Sequence, residues 1–240
     1  MAFIYDFIMR HVDYHRWANY INSLLLKASS PTSKILDIAC GTGSLLLKLA
    51  ELNYRVAGFD ESENMVKIAQ KNARKQHKSV PFWRGSMLDF AVHNKFGAVV
   101  CTYDSMNYCL TPSCINSIFL NTYDVLHPGG LFIFDICTEK NSRRNFLKYF
   151  EKDSTDDFRY VRESYYMPRK RFQINEFEII WNQDSSIIYH EIHKQRIYKI
   201  EEIKNKIPHE LFLLEGIYEG FSMHKGTEKS DRVHFVLKKK

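Results

Sequence analysis

The strongest constraint on the fold is an alternation of short apolar runs with longer amphipathic ones between residues 34 and 138. Five runs rich in branched and aromatic residues are typical of β-strands: KILDIA, YRVAGFD, VPFWRGS, GAVVCTY and GGLFIFDIC. Three other segments of this region carry apolar residues at helical spacing: SLLLKLAEL, SENMVKIAQKNARKQ and SCINSIFLNTYDVL. The alternation predicts an α/β fold in which helices cover both faces of a doubly wound, mostly parallel sheet.

The remaining segments add a cap, an insertion and a closing unit. Residues 1–30 are predicted to form a helical cap before the first strand. Beyond residue 156, alternating polar and apolar residues predict an antiparallel meander after the fifth strand. A helix and two further strands close the chain, which gives the main sheet seven strands. We therefore assign residues 1–156 and 199–240 to a main domain and residues 157–198 to an inserted subdomain.

Composition argues against nucleic-acid-binding, zinc-binding and membrane-spanning proteins. The 240 residues are 45% hydrophobic, which suits a packed core, and the net charge of +6 is scattered rather than concentrated in a basic stripe. We therefore expect no nucleic-acid partner. Five cysteines without zinc-finger spacing indicate buried thiols and no metal site. No uninterrupted apolar run of about 18 residues occurs, so we expect no membrane span and a cytoplasmic monomer or homodimer.

The turn ILDIACGTGSL, residues 35–45, predicts a nucleoside ligand. It has the first two glycines of a dinucleotide-binding loop but neither its third glycine nor the lysine of a P-loop. Asp37, four residues before Gly41, is a poor neighbour for a diphosphate and a good one for a cation. Asp60 ends the second predicted strand, where a carboxylate can accept hydrogen bonds from ribose hydroxyls. The predicted ligand has a ribose and a positive charge but no phosphate.

Four motifs carry a resemblance to a known family. LDIACGTGSL, AGFDESENMVKIAQKNA, FWRGSMLDF and LHPGGLFIFDI resemble, in this order, the class I S-adenosylmethionine-dependent methyltransferases. The segment DSMNY, residues 104–108, is similar to the small-molecule branch, which includes sugar N-methyltransferases and glycine N-methyltransferase-like enzymes. The resemblance implies S-adenosylmethionine as methyl donor and S-adenosylhomocysteine as product.

The resemblance also implies a role for each matching position. Gly41 and Gly43 would let the backbone approach the methionine and ribose portions, while Asp37 would face the methionine ammonium. Asp60 would bind the ribose and Met65 would pack on the adenine. Asp89 would accept from the adenine amino group, and the amide of Met87 or Leu88 would donate to a ring nitrogen. Two further cofactor-binding candidates complete the set: Cys40 and Thr102.

Each of these positions also has a structural interpretation. A lone Asp37 or Asp60 is equally well explained as a turn or helix-capping residue. Met65, taken alone, is better explained as a core residue. The joint occurrence of the motifs favours the binding interpretation.

Methyl transfer is an in-line displacement that needs an aligned, deprotonated acceptor. The catalytic candidates are Tyr14 in the cap and Asp104 and Tyr108 after the fourth strand. In the meander, alternation puts His190 and Arg196 on one strand face and His193 on the other, and the sequence leaves open which face meets the cleft. We predict His190 and Arg196 as substrate-binding residues. The insertion is either a substrate cover or a dimer surface.

The predicted function is S-adenosylmethionine-dependent methylation of a small molecule, at nitrogen rather than oxygen. Two alternatives remain open. One is methylation of RNA or of a protein side chain, and the other is a module that binds S-adenosylmethionine without catalysis.

Overall fold

The structure is a computed structural model that describes residues 1–28 and 33–240, apart from the side chain of Asp184. Residues 29 and 30 of the predicted cap lie outside the described residues. The α-helices are α1 Tyr5–Ile8, α2 Tyr14–Lys27, α3 Ser44–Glu51, α4 Glu63–Lys75, α5 Pro112–Val125, α6 Glu139–Asn145 and α7 Ile200–Lys204. Short 3₁₀ helices span Ala2–Ile4 and Ser105–Tyr108.

The strands fall into two sheets. Their bounds are β1 Lys34–Asp37, β2 Arg55–Asp60, β3 Phe82–Arg84, β4 Phe96–Cys101, β5 Leu126–Cys137, β6 Lys148–Ser154, β7 Phe158–Met167, β8 Phe172–Trp181, β9 Asp184–Arg196, β10 Phe212–Glu219 and β11 Arg232–Lys239. The main sheet has seven strands in the order β10-β11-β5-β4-β1-β2-β3. Strands β1 to β5 run parallel, and β11 pairs antiparallel with both β5 and β10. The predicted fold class is confirmed.

Helices cover both faces of the main sheet because successive strand residues point in opposite directions. Ile35 packs into the hydrophobic cluster beneath α2, α3 and α4, and the next residue, Leu36, packs into the cluster beneath α5. Strands buried on both faces need continuous apolar runs, which is why β1, β4 and β5 could be recognised in the sequence. Within the described residues, none of the helices has the length and apolar character needed to span a bilayer.

The second sheet is antiparallel, in the order β6-β7-β8-β9. Three of its strands match the predicted meander, while β6 lies upstream of the predicted boundary at residue 157. Its sequence KYFEKDS alternates half-buried and exposed residues, as an edge strand does. Helix α6 was not predicted, and α7 covers only five residues of the longer helix expected there.

The N-terminal segment joins the two sheets. Asp6 accepts hydrogen bonds from Thr42 Oγ1 at 2.6 Å and Asn72 Nδ2 at 3.1 Å, which attach α1 to the main sheet. The same segment shares a hydrophobic cluster with the second sheet: Ile4, Ile8, Met9, Phe158, Tyr160, Phe177 and Ile179. Residues 1–14 therefore bridge the space between the sheets.

His234 on β11 is fully buried among three aromatic rings. Its ring centroid lies 5.4 Å from Trp17, 4.8 Å from Tyr20 and 6.0 Å from Phe221. Burial, with a contribution from the nearby Arg232 cation, lowers the pKa of His234 to about 3. The imidazole is therefore neutral in the folded protein at all physiological pH values.

We predict that His234 makes the protein sensitive to acid. Below a pH of about 6.5 the unfolded chain protonates this histidine, while the folded protein does not until about pH 3. The free energy of unfolding should therefore fall by about 1.4 kcal/mol per pH unit in that window. His234→Phe should remove this dependence.

Urea unfolding between about pH 7.5 and pH 5 measures the effect, and wild type should lose about 2 kcal/mol more than His234→Phe over that range. Equal losses in the two proteins would contradict the assignment.

Candidate functional site

A central cavity of about 1260 Å³ lies between the two sheets, beyond the carboxyl ends of β1, β2 and β4. In the main sheet β1 lies between β4 and β2, so chain connections leave it in opposite directions and a crevice opens there. The volume exceeds the ~300–1,000 Å³ of a typical single-ligand pocket. The cavity has room for two small molecules side by side.

The glycine turn, residues 40–44, forms one wall and is held by Asp60. Asp60 Oδ2 accepts a hydrogen bond from the Gly41 N–H at 2.9 Å, and Oδ1 accepts one from the Ser62 N–H at 2.9 Å. Burial raises the pKa of Asp60 although both hydrogen bonds oppose the shift. Asp60 thus fixes the turn against the start of α4 and lines the cavity as well.

The two glycines of the turn serve different purposes. Gly41 lines the cavity at φ +53°, and a Cβ there would meet only Tyr5 Cε1 at 4.0 Å. Gly43 lies outside the cavity lining at φ +79°, where a Cβ would lie 2.7 Å from Phe82 Cζ and 3.1 Å from Ala69 Cβ. Gly43 therefore makes room for the Phe82 side chain of β3, and its contact with a ligand stays a prediction.

Asp37 places a buried carboxylate in the cavity wall. Its Oδ1 accepts the Ala39 N–H at 3.0 Å, and no cationic side chain of the described residues lies within 4 Å of it. Burial raises the pKa of Asp37 to about 7, the Ala39 hydrogen bond opposes this, and the Asp60 carboxylate adds to it. A ligand cation beside Asp37 would supply the missing counter-charge.

The other predicted cofactor-binding residues divide into two groups. Cys40, Met65, Met87 and Thr102 line the cavity, whereas Leu88 and Asp89 do not. The turn after β3 closes on Ser86, whose carbonyl accepts the Asp89 N–H at 3.2 Å and whose Oγ accepts the Leu88 N–H at 3.3 Å. Leu88 and Asp89 belong to this turn next to the cavity lining, and their contact with the adenine stays a prediction.

A buried ionic network forms the floor of the cavity. Arg232 on β11 donates to Asp104 Oδ1 at 2.6 Å and also to Asp135 Oδ2 on β5. Gln195 on β9 donates from Nε2 to Asp104 Oδ2 at 2.7 Å. Burial by itself would lower the pKa of Arg232. The carboxylates of Asp104 and Asp135 have the larger effect, and the pKa of Arg232 lies well above its usual value. Both oxygens of the predicted catalytic residue Asp104 are therefore engaged.

The network holds a strained turn in place. Tyr103 and Asp104 adopt φ values of +59° and +55°, a left-handed conformation that is unfavourable for both residue types. Asp135 stabilises it, because Oδ1 accepts the Tyr103 N–H at 2.7 Å and Oδ2 accepts the Asp104 N–H at 2.9 Å. The turn aims Tyr103 and Asp104 into the cavity.

Tyrosines of the N-terminal segment and of the turn after β4 line the cavity. Tyr5 and Tyr14 come from the N-terminal segment, and Tyr103 and Tyr108 come from the turn after β4. Burial raises the pKa of Tyr103 to about 12 and keeps the pKa of Tyr14 and Tyr108 well above the usual value. At neutral pH these phenols are uncharged hydrogen-bond donors, so Tyr14 and Tyr108 meet the cavity as neutral groups.

The orientation of β9 answers the question that the sequence left open. His193 and Gln195 face the main sheet, where Tyr108 Oη lies 3.0 Å from His193 Nδ1. His190 lies on the alternate face, 61% exposed and 3.5 Å from Glu178, and reaches the cavity only as an exposed lining residue. Arg196 does not line the cavity and donates to the Leu110 carbonyl at 3.3 Å. A role of Arg196 in substrate binding therefore stays a prediction.

Sequence reasoning missed several residues of the site. Asp135 had a usable signal, since a carboxylate inside the apolar run LFIFDIC is costly to bury without a partner. Arg232 had none, because its position depends on the pairing of β11 with β5. Tyr103 also had a signal, because it follows β4 directly beside the predicted Asp104. In the described part of the chain, no cluster of three His, Cys, Asp or Glu side chains has the geometry of a metal site.

Comparison with known proteins adds to this geometry. A family model described as a methyltransferase domain matches residues 35–130. A Bacillus subtilis (strain 168) protein provisionally named methyltransferase YqeM is 28% identical over 99% of this chain and 95% of its own length. The dTDP-3-amino-3,4,6-trideoxy-alpha-D-glucopyranose N,N-dimethyltransferase of Streptomyces venezuelae is 31% identical over 56% of either chain.

A solved structure extends the similarity to the whole fold. The S-adenosylmethionine-dependent methyltransferase from Clostridium acetobutylicum ATCC 824 superposes with a TM-score of 0.84, at 24% identity, covering 99% of this chain and 96% of the other.

We predict that alanine substitutions at the two glycines of the turn differ in cost. A positive φ costs either variant about 1–2 kcal/mol. Gly43→Ala should cost about 1–3 kcal/mol more, because its Cβ collides with Phe82. Chemical unfolding of both variants measures the difference, with Gly41→Ala as the matched control. Equal destabilisation of the two would contradict the packing role of Gly43.

Proposed function

We propose that the chain is a class I S-adenosylmethionine-dependent methyltransferase, in line with the methyltransferase-domain model that matches residues 35–130, and that it methylates a nitrogen atom of a small polar amine. The observation that carries this proposal is the polar inner face of the second sheet, which covers the cavity beside Asp104. S-adenosylmethionine supplies a methyl group on a positively charged sulfur, so the leaving group needs no acid. The protein must orient the acceptor and keep its nitrogen deprotonated.

The donor half of the cavity fits the methyl donor. Asp37 lacks a cationic partner among the described residues and would face the α-ammonium group. Gly41 leaves open space where a Cβ would project, so the backbone can approach the ligand closely. Asp60 retains lone pairs for ribose hydroxyls. Met65 and Met87 would supply apolar contacts for the adenine.

The acceptor half is rich in amide side chains. Gln173 Nε2 lies 3.4 Å from Gln195 Oε1, and Asn175 accepts from Arg162 Nη2 and Ser164 Oγ, both at 2.8 Å. Gln173, Asn175 and Arg162 line the cavity. Such a wall offers donors and acceptors to a ligand with several hydroxyl or carbonyl groups. The relative from Streptomyces venezuelae is named for an amino sugar, which agrees with this class of acceptor.

The enclosure of the cavity favours a small acceptor over a macromolecule. Residues 1–14 and the inner face of the second sheet both cover it, and the N-terminal amino group lies 2.6 Å from Glu191 Oε2. We propose that the second sheet acts as the substrate cover. Tyr14 would donate a hydrogen bond to the acceptor, the Tyr108 oxygen would accept one from it, and Asp104 would hold its turn in register with Gln195.

We predict that binding of S-adenosylhomocysteine weakens in acid. The Asp37 carboxylate, whose pKa is about 7, loses its charge as the pH falls and can then no longer balance the ligand ammonium. The dissociation constant should rise by up to about tenfold per pH unit below pH 7. Asp37→Asn should bind weakly at pH 8 and show little pH dependence.

Isothermal titration calorimetry across this range measures the effect. Asp157→Asn removes an exposed carboxylate outside the cavity and is the matched control, so it should behave as wild type. A pH-independent affinity of the wild-type protein would contradict the role of Asp37.

We predict methyl transfer to an amine of low molecular weight. A screen with radiolabelled S-adenosylmethionine should include dTDP-amino sugars, free amino sugars, amino acids, phenols, RNA and cell protein. Label should enter an amine fraction and remain absent with Asp37→Asn at limiting donor concentration. Label only in RNA or protein would support the macromolecular alternative, and binding of the donor without turnover would support a module without catalysis.

A further inference from the structure

Three side chains from two parts of the chain form a continuous line at the cavity wall. Tyr108 Oη, in the 3₁₀ helix after β4, lies 3.0 Å from His193 Nδ1 on β9. His193 Nε2 lies 3.1 Å from Glu191 Oε1, two residues earlier on the same strand face. All three residues line the cavity. We refer to this line as the Tyr108–His193–Glu191 relay.

The surroundings hold the histidine ring in one orientation. Its centroid lies 5.7 Å from the Phe177 ring and 5.9 Å from the Tyr108 ring, with both pairs edge to face. The His193 side chain is only 17% exposed. A ring fixed in this way has Nδ1 within hydrogen-bond distance of the phenol, while Nε2 is buried near a carboxylate oxygen without forming a hydrogen bond to it.

Glu191 selects the tautomer of the neutral ring. The His193 ring, together with the Met1 amino group, holds the pKa of Glu191 at about 2, so its carboxylate is ionised at any working pH. A lone pair on Nε2 would face this negative charge and be repelled, whereas an Nε2–H attracts it. The proton of neutral His193 therefore belongs on Nε2, which leaves Nδ1 free to accept from the Tyr108 O–H.

From this arrangement we infer that the relay accepts the proton that the amine acceptor must lose. The inference rests on the proposed function, since it requires an amine in the cavity. The Tyr108 oxygen takes the ammonium proton as its own proton passes to His193 Nδ1. The phenol ends neutral, the imidazole becomes an imidazolium beside the Glu191 carboxylate, and the amine is left with a free lone pair. Half-exposed Glu191 then lies on the route by which the proton leaves to solvent.

The geometry favours this relay over the two other candidate bases. Asp104 forms an ion pair with Arg232 at 2.6 Å, which a proton on Asp104 would break. Tyr14 has a pKa well above neutral and no histidine within hydrogen-bond distance among the described residues. Tyr108 is thus assigned as the catalytic residue that meets the substrate, and His193 and Glu191 are positioning residues that act through it.

Other charged and titratable groups contribute to the field at the relay. Asp104 and Asp60 of the main sheet act on Tyr108, as does the Arg162 cation on β7. The Met1 amino group lies beside Glu191. A pH profile must therefore be compared among variants rather than read from the wild-type protein alone.

The first measurement needs no acceptor. Two-bond ¹⁵N–¹H correlation spectra of the protein labelled with ¹⁵N-histidine read the tautomer of each neutral imidazole. We expect His193 to carry its proton on Nε2, and we expect Glu191→Gln to shift the population toward the Nδ1–H tautomer. A wild-type His193 with its proton on Nδ1 would overturn the relay. His193→Gln identifies the resonance.

The second measurement uses the amine that gives turnover in the methyl-transfer screen. Tyr108→Phe and His193→Gln should each lower kcat by about 10²-fold at neutral pH, the lower end of the usual contribution of a general base. Both should bind S-adenosylhomocysteine as tightly as wild type. The loss should shrink as the pH is raised, because the amine then loses its proton to solvent.

The controls make the same chemical changes on the outer face of the second sheet. Tyr165→Phe removes a phenol that donates to Glu176 at 2.8 Å, and Glu178→Gln removes a carboxylate 3.5 Å from a histidine. Both should retain wild-type turnover. If kcat of the relay variants falls by the same factor at every pH, the three residues have a purely structural role. That result would overturn the relay and leave the proposed function standing. No transfer to any amine by the wild-type protein would overturn the proposed function and the relay together.

Discussion

The site depends on one buried ion network, in which the Arg232 guanidinium lies between the carboxylates of Asp104 and Asp135. Three strands meet there, because Asp135 belongs to β5, Arg232 to β11 and Asp104 to the turn after β4. A buried ion pair stabilises a fold weakly, and removal of one partner leaves an uncompensated charge. The network matters here because it holds Tyr103 and Asp104 in a left-handed conformation in which both line the cavity.

The N-terminal segment and the second sheet form the walls of the cavity that the main sheet does not supply. The main sheet offers a crevice and a strained turn, but it leaves one side of the ligand space open. Residues 1–14 and the inner face of β7, β8 and β9 cover that side, and their shared hydrophobic cluster joins them. Methyl transfer benefits from this enclosure because water competes with the acceptor and screens charges inside the site.

The sequence was most informative where a local pattern determines the structure. The parallel strands, the glycine turn with Asp37 and Asp60, and the antiparallel insertion all follow from periodicity and turn chemistry, and the fold shows each of them. The roles of Leu88 and Asp89 stay predictions, because the turn that closes on Ser86 places both outside the cavity lining. The choice between His190 and His193 depended on which face of β9 meets the main sheet, and an isolated strand carries no such information. Arg232 could not be found at all, because its partners lie about 100 residues away in the chain.

The position of Arg232 on β11 has a consequence for how the protein assembles. During synthesis, Asp104 and Asp135 are made well before Arg232, the cation that neutralises them. Trp17 and Tyr20 are likewise made well before His234, the β11 residue that packs against them. Contacts so distant in sequence slow folding and delay its last step. An emerging chain can therefore form its helices and the first parallel strands while the ligand space is still unfinished. Competence to bind and react should therefore appear only when β11 enters between β5 and β10.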